Sequence, residues 1–144
     1  MTAEAEGQNA PYLRVYLGIW GAFDPGAFGE TVGLEADESR RRGERNVNLD
    51  LPRYDHWQLH AHARHGFDVD EMVTELLARF PCRQERLRDT VAAWGLGISL
   101  SVVAEWDARQ TSAPAVTFSV ENMRRLVALG ACIDVDLYPL YPND

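Results

Sequence analysis

A chain of 144 residues with 46% apolar residues is long enough for one domain with a sizeable core and too short for two ordinary ones. Its formal charge of −8 argues against a general nucleic-acid binder, which needs a net basic surface, and favours a basic partner. The first ten residues carry no apolar segment, and no run approaches the roughly 18 apolar residues of a spanning helix. No secretory signal and no membrane partner are therefore expected, and the expected location is cytoplasmic.

Residues 1–11 are expected to form a disordered tail, followed by a single α+β domain over residues 12–140. From Tyr12 to Trp20, Leu13, Val15, Leu17 and Ile19 alternate with Tyr12, Arg14, Tyr16, Gly18 and Trp20, the period of a half-buried strand. Asp24-Pro25 reads as an N-cap followed by proline at the first helical position, and Gly33 is placed to stop a helix of about two turns. Residues 35–54 show no sustained period and read as a long exposed connection with a short extended piece near Val47–Leu51.

The strictest alternation lies between Asp55 and Arg64. Trp57, Leu59, Ala61 and Ala63 form one row; His56, Gln58, His60, His62 and Arg64 form the other. Such a strand belongs to a sheet with one covered and one open face. Asp68 caps a helix with stripes Met72, Leu76, Phe80 and Val69, Val73, Leu77, ended by Pro81; a second helical piece carries Leu87, Val91 and Trp94 up to Gly95. A third alternating strand covers 97–107, with Ile98, Leu100, Val102, Ala104 and Trp106 inward and Ser99, Ser101, Val103 and Glu105 outward.

Residues 115–118 are expected as a short strand closing a hairpin. Ser119 then caps a helix that turns Met123, Leu126 and Val127 to the core and stops at Gly130. The last strand, 132–138, is expected to face Ile133, Val135 and Leu137 inward and Asp134, Asp136 and Tyr138 outward. Cys82 and Cys132 sit in amphipathic patterns without metal or redox spacing and are expected as buried, reduced thiols. The fold class is α+β, a mainly antiparallel sheet with helices on one face: a ferredoxin-like unit preceded by an extra strand and helix.

Several residues together resemble the bacterial family named domain of unknown function 4279. They are Val32-Gly33-Leu34-Glu35 leading into Arg42-Gly43-Glu44, Trp57 in a strand, Phe118-Ser119 with Leu126, Leu129-Gly130-Ala131, and the run Ile133 to Tyr138. The resemblance spans about residues 12–138 and implies a small bacterial α+β protein. It brings no established catalytic residue, and the histidines of 56–62 are not part of its pattern.

On the open face, Tyr12, Arg14, Tyr16, Trp20, His60, His62, Asp134, Asp136 and Tyr138 form a candidate binding surface, since aromatics with Arg, His and Asp give contact area and oriented polar contacts. A solvated sheet face is the plainer alternative. His60 and His62 share the spacing of two zinc ligands that Asp134 or Asp136 would complete; zinc is the one cofactor the pattern would serve, and otherwise none is called for. Arg40, Arg41, Arg42 and Arg45 form a candidate anion-binding loop by bidentate guanidinium contacts, the alternative being solvation or pairing with nearby carboxylates. No nucleophile elbow, Cys-His pair or paired carboxylates emerge, so catalysis is not indicated. The leading expectation is a non-catalytic, immunity-type or regulatory module that binds a basic protein partner. The alternative is a metal- or small-ligand-binding enzyme or sensor using His60, His62, Asp134 and Asp136, with the arginine loop as a lid.

Overall fold

A computed structural model describes residues 9–142. At its centre runs β1 (Tyr12–Gly21), antiparallel to β5 (Gly97–Asp107) on one side and to β3 (Asp55–His60) on the other. The expected alternation holds: Leu13, Val15, Leu17 and Ile19 are at most 1% exposed. The short strands β2 (Glu38–Arg40) and β4 (Arg64–His65) pair with β3 and β1 respectively. β6 (Cys132–Leu140) adds to β5 in parallel, giving the order β2-β3-β1-β5-β6 in an otherwise antiparallel sheet.

Among the described residues four helices cover one face: α1 (Pro25–Val32), α2 (Val69–Leu77), α3 (Gln84–Ala93) and α4 (Val120–Leu129). Asp24, Asp68 and Ser119 cap α1, α2 and α4 through side-chain oxygens that accept N–H bonds from the first turn. Gly33 and Gly130 end α1 and α4 at φ 71° and 75°, a left-handed conformation that a Cβ would penalise. α1 packs on β3 and α3, α2 on β1 and α4, and α3 on α4. Phe28, Trp57, Met72, Leu76, Leu87, Leu100 and Leu126 fill the layer between helices and sheet.

The α+β class and the mainly antiparallel sheet are as expected, but the second half departs in detail. Residues 115–118 form a connection without strand pairing, so β5 reaches β6 through α4 as a parallel crossover. Because α4 leans on α2 and α3, Ile133, Val135 and Leu137 have no roof and are 40–46% exposed, not inward. On α4, Leu126 is buried as expected, whereas Met123 and Val127 lie on the flank and are exposed. Both cysteines are free and exposed; Cys132 lies at the start of the uncovered edge strand, its Sγ 3.6 Å from the Ile98 carbonyl. Of the expected tail, residues 1–8 lie outside the described residues. Ala10 and Pro11 are buried, their carbonyls accepting from the His65 ring and the Gly66 amide.

One polar knot crosses the helical layer. Asn122, 1% exposed, donates through Nδ2 to the Asp70 side chain at 2.9 Å and lies within 2.9 Å of the Thr74 hydroxyl, while Asp70 also accepts the Ser119 amide. It fixes the start of α4 on the first turn of α2. Replacing Asn122 with Ala strands these partners, so Asn122→Ala is expected to cost about 1–3 kcal/mol. Urea unfolding measures this, and an unchanged midpoint would refute the assignment.

Candidate functional site on the open sheet face

The open face is set by register. Tyr16 stands opposite His60 on β3 and Ser101 on β5, and Ser101 opposite Asp134 on β6, giving the row His60, Tyr16, Ser101, Asp134. The next row is Arg14, Val103, Asp136, and the one beyond is Tyr12, Glu105, Tyr138. Ser99, Ser101 and Val103 belong to this face as expected yet are only 5–7% exposed, because small side chains on the middle strand lie below larger neighbours. With Gly18 beside Ser99 they form the floor of a shallow trough. Its rims are Tyr12, Tyr16, Trp20 and His60 on one side and Asp134, Asp136 and Tyr138 on the other.

Trp20 lies across Gly97, leaving no room there for a Cβ, and its ring centroid is 5.3 Å from that of Tyr54. Arg14 reaches Glu105 at 3.7 Å and borders two hollows. One, of about 350 Å³, also touches Tyr16, Val103, Asp136 and Tyr138; the other, of about 180 Å³, touches Tyr16, Glu38, Gln58 and His60. No salt bridge engages Asp134 or Asp136 among the described residues, whereas Arg14 is partly neutralised.

His60 is the most constrained member. Its amide donates to Asp37 at 2.7 Å, its carbonyl accepts from Arg79 at 2.7 Å, and Asp37 and Arg79 pair with each other. The Arg79 guanidinium, backed by the His60 amide, holds the Asp37 carboxyl below its ordinary value against the opposing effect of burial. The His60 ring lies 2.8 Å from the Gln58 amide oxygen and 3.7 Å from Glu38, with its centroid 5.4 Å from that of Tyr16.

His62 does not join it. Pairing with β1 runs Tyr16↔His60 in β3 but Leu13↔Arg64 and Tyr12↔His65 in β4, so residues 61–63 hold one residue more than β1 opposite them. This bulge inverts the facing of the residues beyond it. His65 comes to the open face beside Tyr12, ring centroids 5.2 Å apart, and Arg64 pairs with Glu75 of α2 at 2.6 Å. The His62 amide also donates to Glu75, at 3.2 Å.

The expected metal set is dispersed. β1 and β5 stand between His60 and the aspartates of β6, a gap of three strand spacings or about 14 Å. Among the described residues no group of three or more His, Cys, Asp or Glu is placed to hold a metal ion.

The arginine loop is largely self-neutralised. Arg40 pairs with Glu38 at 2.7 Å and Arg41 with Asp24 at 3.4 Å, while Arg42 grips Asp50 through Nε and Nη2 at 2.6–3.0 Å. Arg45 is exposed, its amide donating to the Leu51 carbonyl. Beneath them Asp55, 8% exposed, accepts the Phe23 and Arg42 amides at 3.0 and 2.8 Å. Burial pushes its carboxyl up, but those two amides and the Arg41 and Arg42 charges outweigh it and leave the net shift downward. The loop is thus stapled to the end of β1 and the start of β3.

Family comparison fits this architecture. The family described as Domain of unknown function (DUF4279) matches residues 11–140. The chain belongs to that family. Neither curated proteins nor solved structures gave a match. The DUF4279 match takes in every strand and helix named above, from β1 to β6. No helix of this DUF4279 chain, among the described residues, is long and apolar enough to cross a membrane.

Sequence reasoning places Gln58 on the open row without giving it a role, and it assigns none of Asp37, Arg79, Glu38 and His65 to the site. Only Gln58 and His65 have a local signal, by lying on or next to the strand of strictest alternation; Asp37 and Arg79 are 42 residues apart and meet through the fold alone. Asp37 has a lowered folded pKa, so its stabilising contribution is complete above the ordinary value of 3.8 and is lost as pH falls through the lower folded value. Asp37→Asn is accordingly expected to lower the urea midpoint at neutral pH, with the gap to wild type closing below about pH 4. A gap that stays constant down to that pH would show that ionisation of Asp37 contributes nothing.

Proposed function

We propose that this protein is a non-catalytic protein-binding module, immunity-type or regulatory, acting in the bacterial cytoplasm. It docks the open sheet face onto a basic surface of a partner protein and needs no cofactor to do so. The observation that carries this reading is the trough: buried small residues along β5, flanked on one side by aromatic rings and His60, and on the other by Asp134 and Asp136, which no cation among the described residues engages. Aromatic rims provide contact area with few rotors to freeze, and unpaired carboxylates steer a cationic partner and fix its orientation. Net charge of −8 acts in the same direction at longer range.

The arginine loop, by contrast, pairs most of its guanidinium groups with neighbouring carboxylates. The two carboxylates of β6 carry no such ion pair among the described residues, and Asp136 lines, with Tyr138, the hollow that reaches Arg14.

The test is affinity capture from the lysate of the source organism with wild type and with a Tyr16→Ala/His60→Ala/Asp136→Ala variant shown to be folded. A basic protein retained by wild type and lost by the variant is the expected result; equal retention by both would remove the open face from consideration. With that protein in hand, Asp134→Asn/Asp136→Asn is expected to slow association about three- to tenfold at low ionic strength and to flatten its salt dependence. Stopped-flow mixing at two salt concentrations measures both.

A further inference from the structure

On the helical side of the sheet, the cover stops one strand short of the edge. Leu100, Val102 and Ala104 of β5 are sealed under the helices, while their register partners on β6, Ile133, Val135 and Leu137, are 40–46% exposed. α4 delivers the chain into β6 through Gly130 and Ala131. On that helix Asn122 turns to α2, where it bonds with Asp70 and Thr74, and α2 packs on β1. β6 lies on the other side of β5 from β1. Met123 and Val127 stand about 100° and 140° round α4 from Asn122, the flank that a right-handed crossover turns toward the strand it delivers. Arg125, on the opposite flank, is half-buried and bonds to Asn122, whereas Met123 and Val127, with Val120 a turn earlier, are 42–77% exposed. The row of β6 and the flank of α4 are thus the floor and wall of an apolar notch.

The extent and shape of the notch specify its occupant. Scattered apolar side chains are ordinary on a surface, and a contiguous patch is not. These six side chains expose roughly 500 Å², which matches the apolar share of a homodimer interface of standard size, about 65% of about 800 Å² per partner. Under a twofold axis the helical wall of one copy enters over the strand floor of the other and the reverse, so one surface serves both sides. The six side chains carry no charge, so the notch offers nothing to orient the basic partner that the open face attracts. Lateral pairing of two β6 edges is the poorer solution: an antiparallel pair centred on Val135 or Asp136 sets carboxylates of the two copies directly opposite each other. Packing on the apolar side leaves Asp134 and Asp136 on the far face of each sheet.

We infer that this notch is an interface between two copies of the chain, packed face to face through β6 and α4 about a twofold axis. Its surface is separate from the trough, which stays open in the pair, and neither reading depends on the other.

The experiment is sedimentation equilibrium of the intact protein up to about 1 mM, at low and high salt. A monomer–dimer equilibrium with a Kd of about 1–100 µM is expected. Both copies carry a charge of −8, so raising salt from about 50 to about 500 mM is expected to tighten the dimer about three- to tenfold by screening their repulsion. Val127→Lys is expected to weaken it at least about tenfold, because the ammonium would have to leave water. Position 127 is exposed and in the last turn of α4, where a cation suits the helix dipole, and the added Lys lowers the net negative charge, so weaker association cannot come from greater repulsion. Far-UV circular dichroism and the urea midpoint confirm that the variant is folded; if it is not, Val135→Thr, which keeps the shape and strand preference of the side chain, is read instead, with a loss of about two- to fivefold expected. A chain that stays monomeric at about 1 mM overturns the inference and leaves the notch to another protein. A dimer that loosens with added salt, or one whose Kd is unchanged in the folded variant, is held by a different surface and overturns it equally.

Discussion

One-sided cover of the central strand is the constraint on which the rest of the molecule depends. β1 is hydrogen-bonded along both edges, and its inward row is at most 1% exposed beneath the helices. Burying a side chain of the Leu or Val class is worth about 1.5–3 kcal/mol, so this row resists any slip that would turn it to water. Once that row is fixed, Tyr12, Arg14, Tyr16 and Trp20 are held on the opposite face whether or not they contribute to stability. β3 and β5 inherit their facing from β1 by register. The open face is thus a consequence of the core, and its chemistry is free to answer to something other than folding.

Two devices then shape that face locally. The bulge at 61–63 exchanges His62 for His65 and sends Arg64 to Glu75 on the helical side. Just before it, Asp37 and Arg79 take both backbone polar groups of His60, one from the loop before β2 and the other from the turn after α2. A strand end with free amide and carbonyl would fray, and both groups would need water or a partner. The clasp makes His60 a fixed neighbour of Tyr16, while its ring bonds to Gln58 and lies near Glu38. Rigid backbone under an accessible side chain is what recognition requires, because little conformational entropy remains to be lost on contact.

How far the residues alone disclose this depends on whether the governing signal is local. β1, β5, the three side-chain caps and the glycine stops are legible, since alternation and capping act over a few residues. The trough is legible as a set of outward residues but not as a shape, because the burial of Ser99 and Ser101 comes from their place on a middle strand, and strand order is not encoded locally. His62 is misplaced by periodicity because an alternating pattern continues through a bulge without a mark: Ala61 and Ala63 read as inward whichever way the chain turns. β2 is invisible at three residues, with its partner strand supplying the order. The arginine run reads as a solvated or self-paired loop ahead of an anion clamp; Glu38 pairs with it locally, while Asp24, Asp50 and Asp55 are brought to it from outside the run by the fold. The cysteines lie in amphipathic patterns whose covering element the fold does not provide.

β6 is the place where these themes meet. Its alternation is as clean as that of β1, yet every one of its residues is exposed, because the crossover helix that delivers it packs on α2 and α3. Periodicity reports which residues share a face and is silent on whether anything covers that face. An uncovered edge strand with Ile133, Val135 and Leu137 on one side would invite pairing with any other strand, and edges of this kind are commonly blunted by charge and proline. Asp134 and Asp136 on the other side, and Pro139 near the end, supply both. The carboxylates that border the trough are therefore also guards of the sheet's edge. Neither is paired with an arginine among the described residues, and an unpaired carboxylate repels a stray strand more strongly than one neutralised by an internal guanidinium.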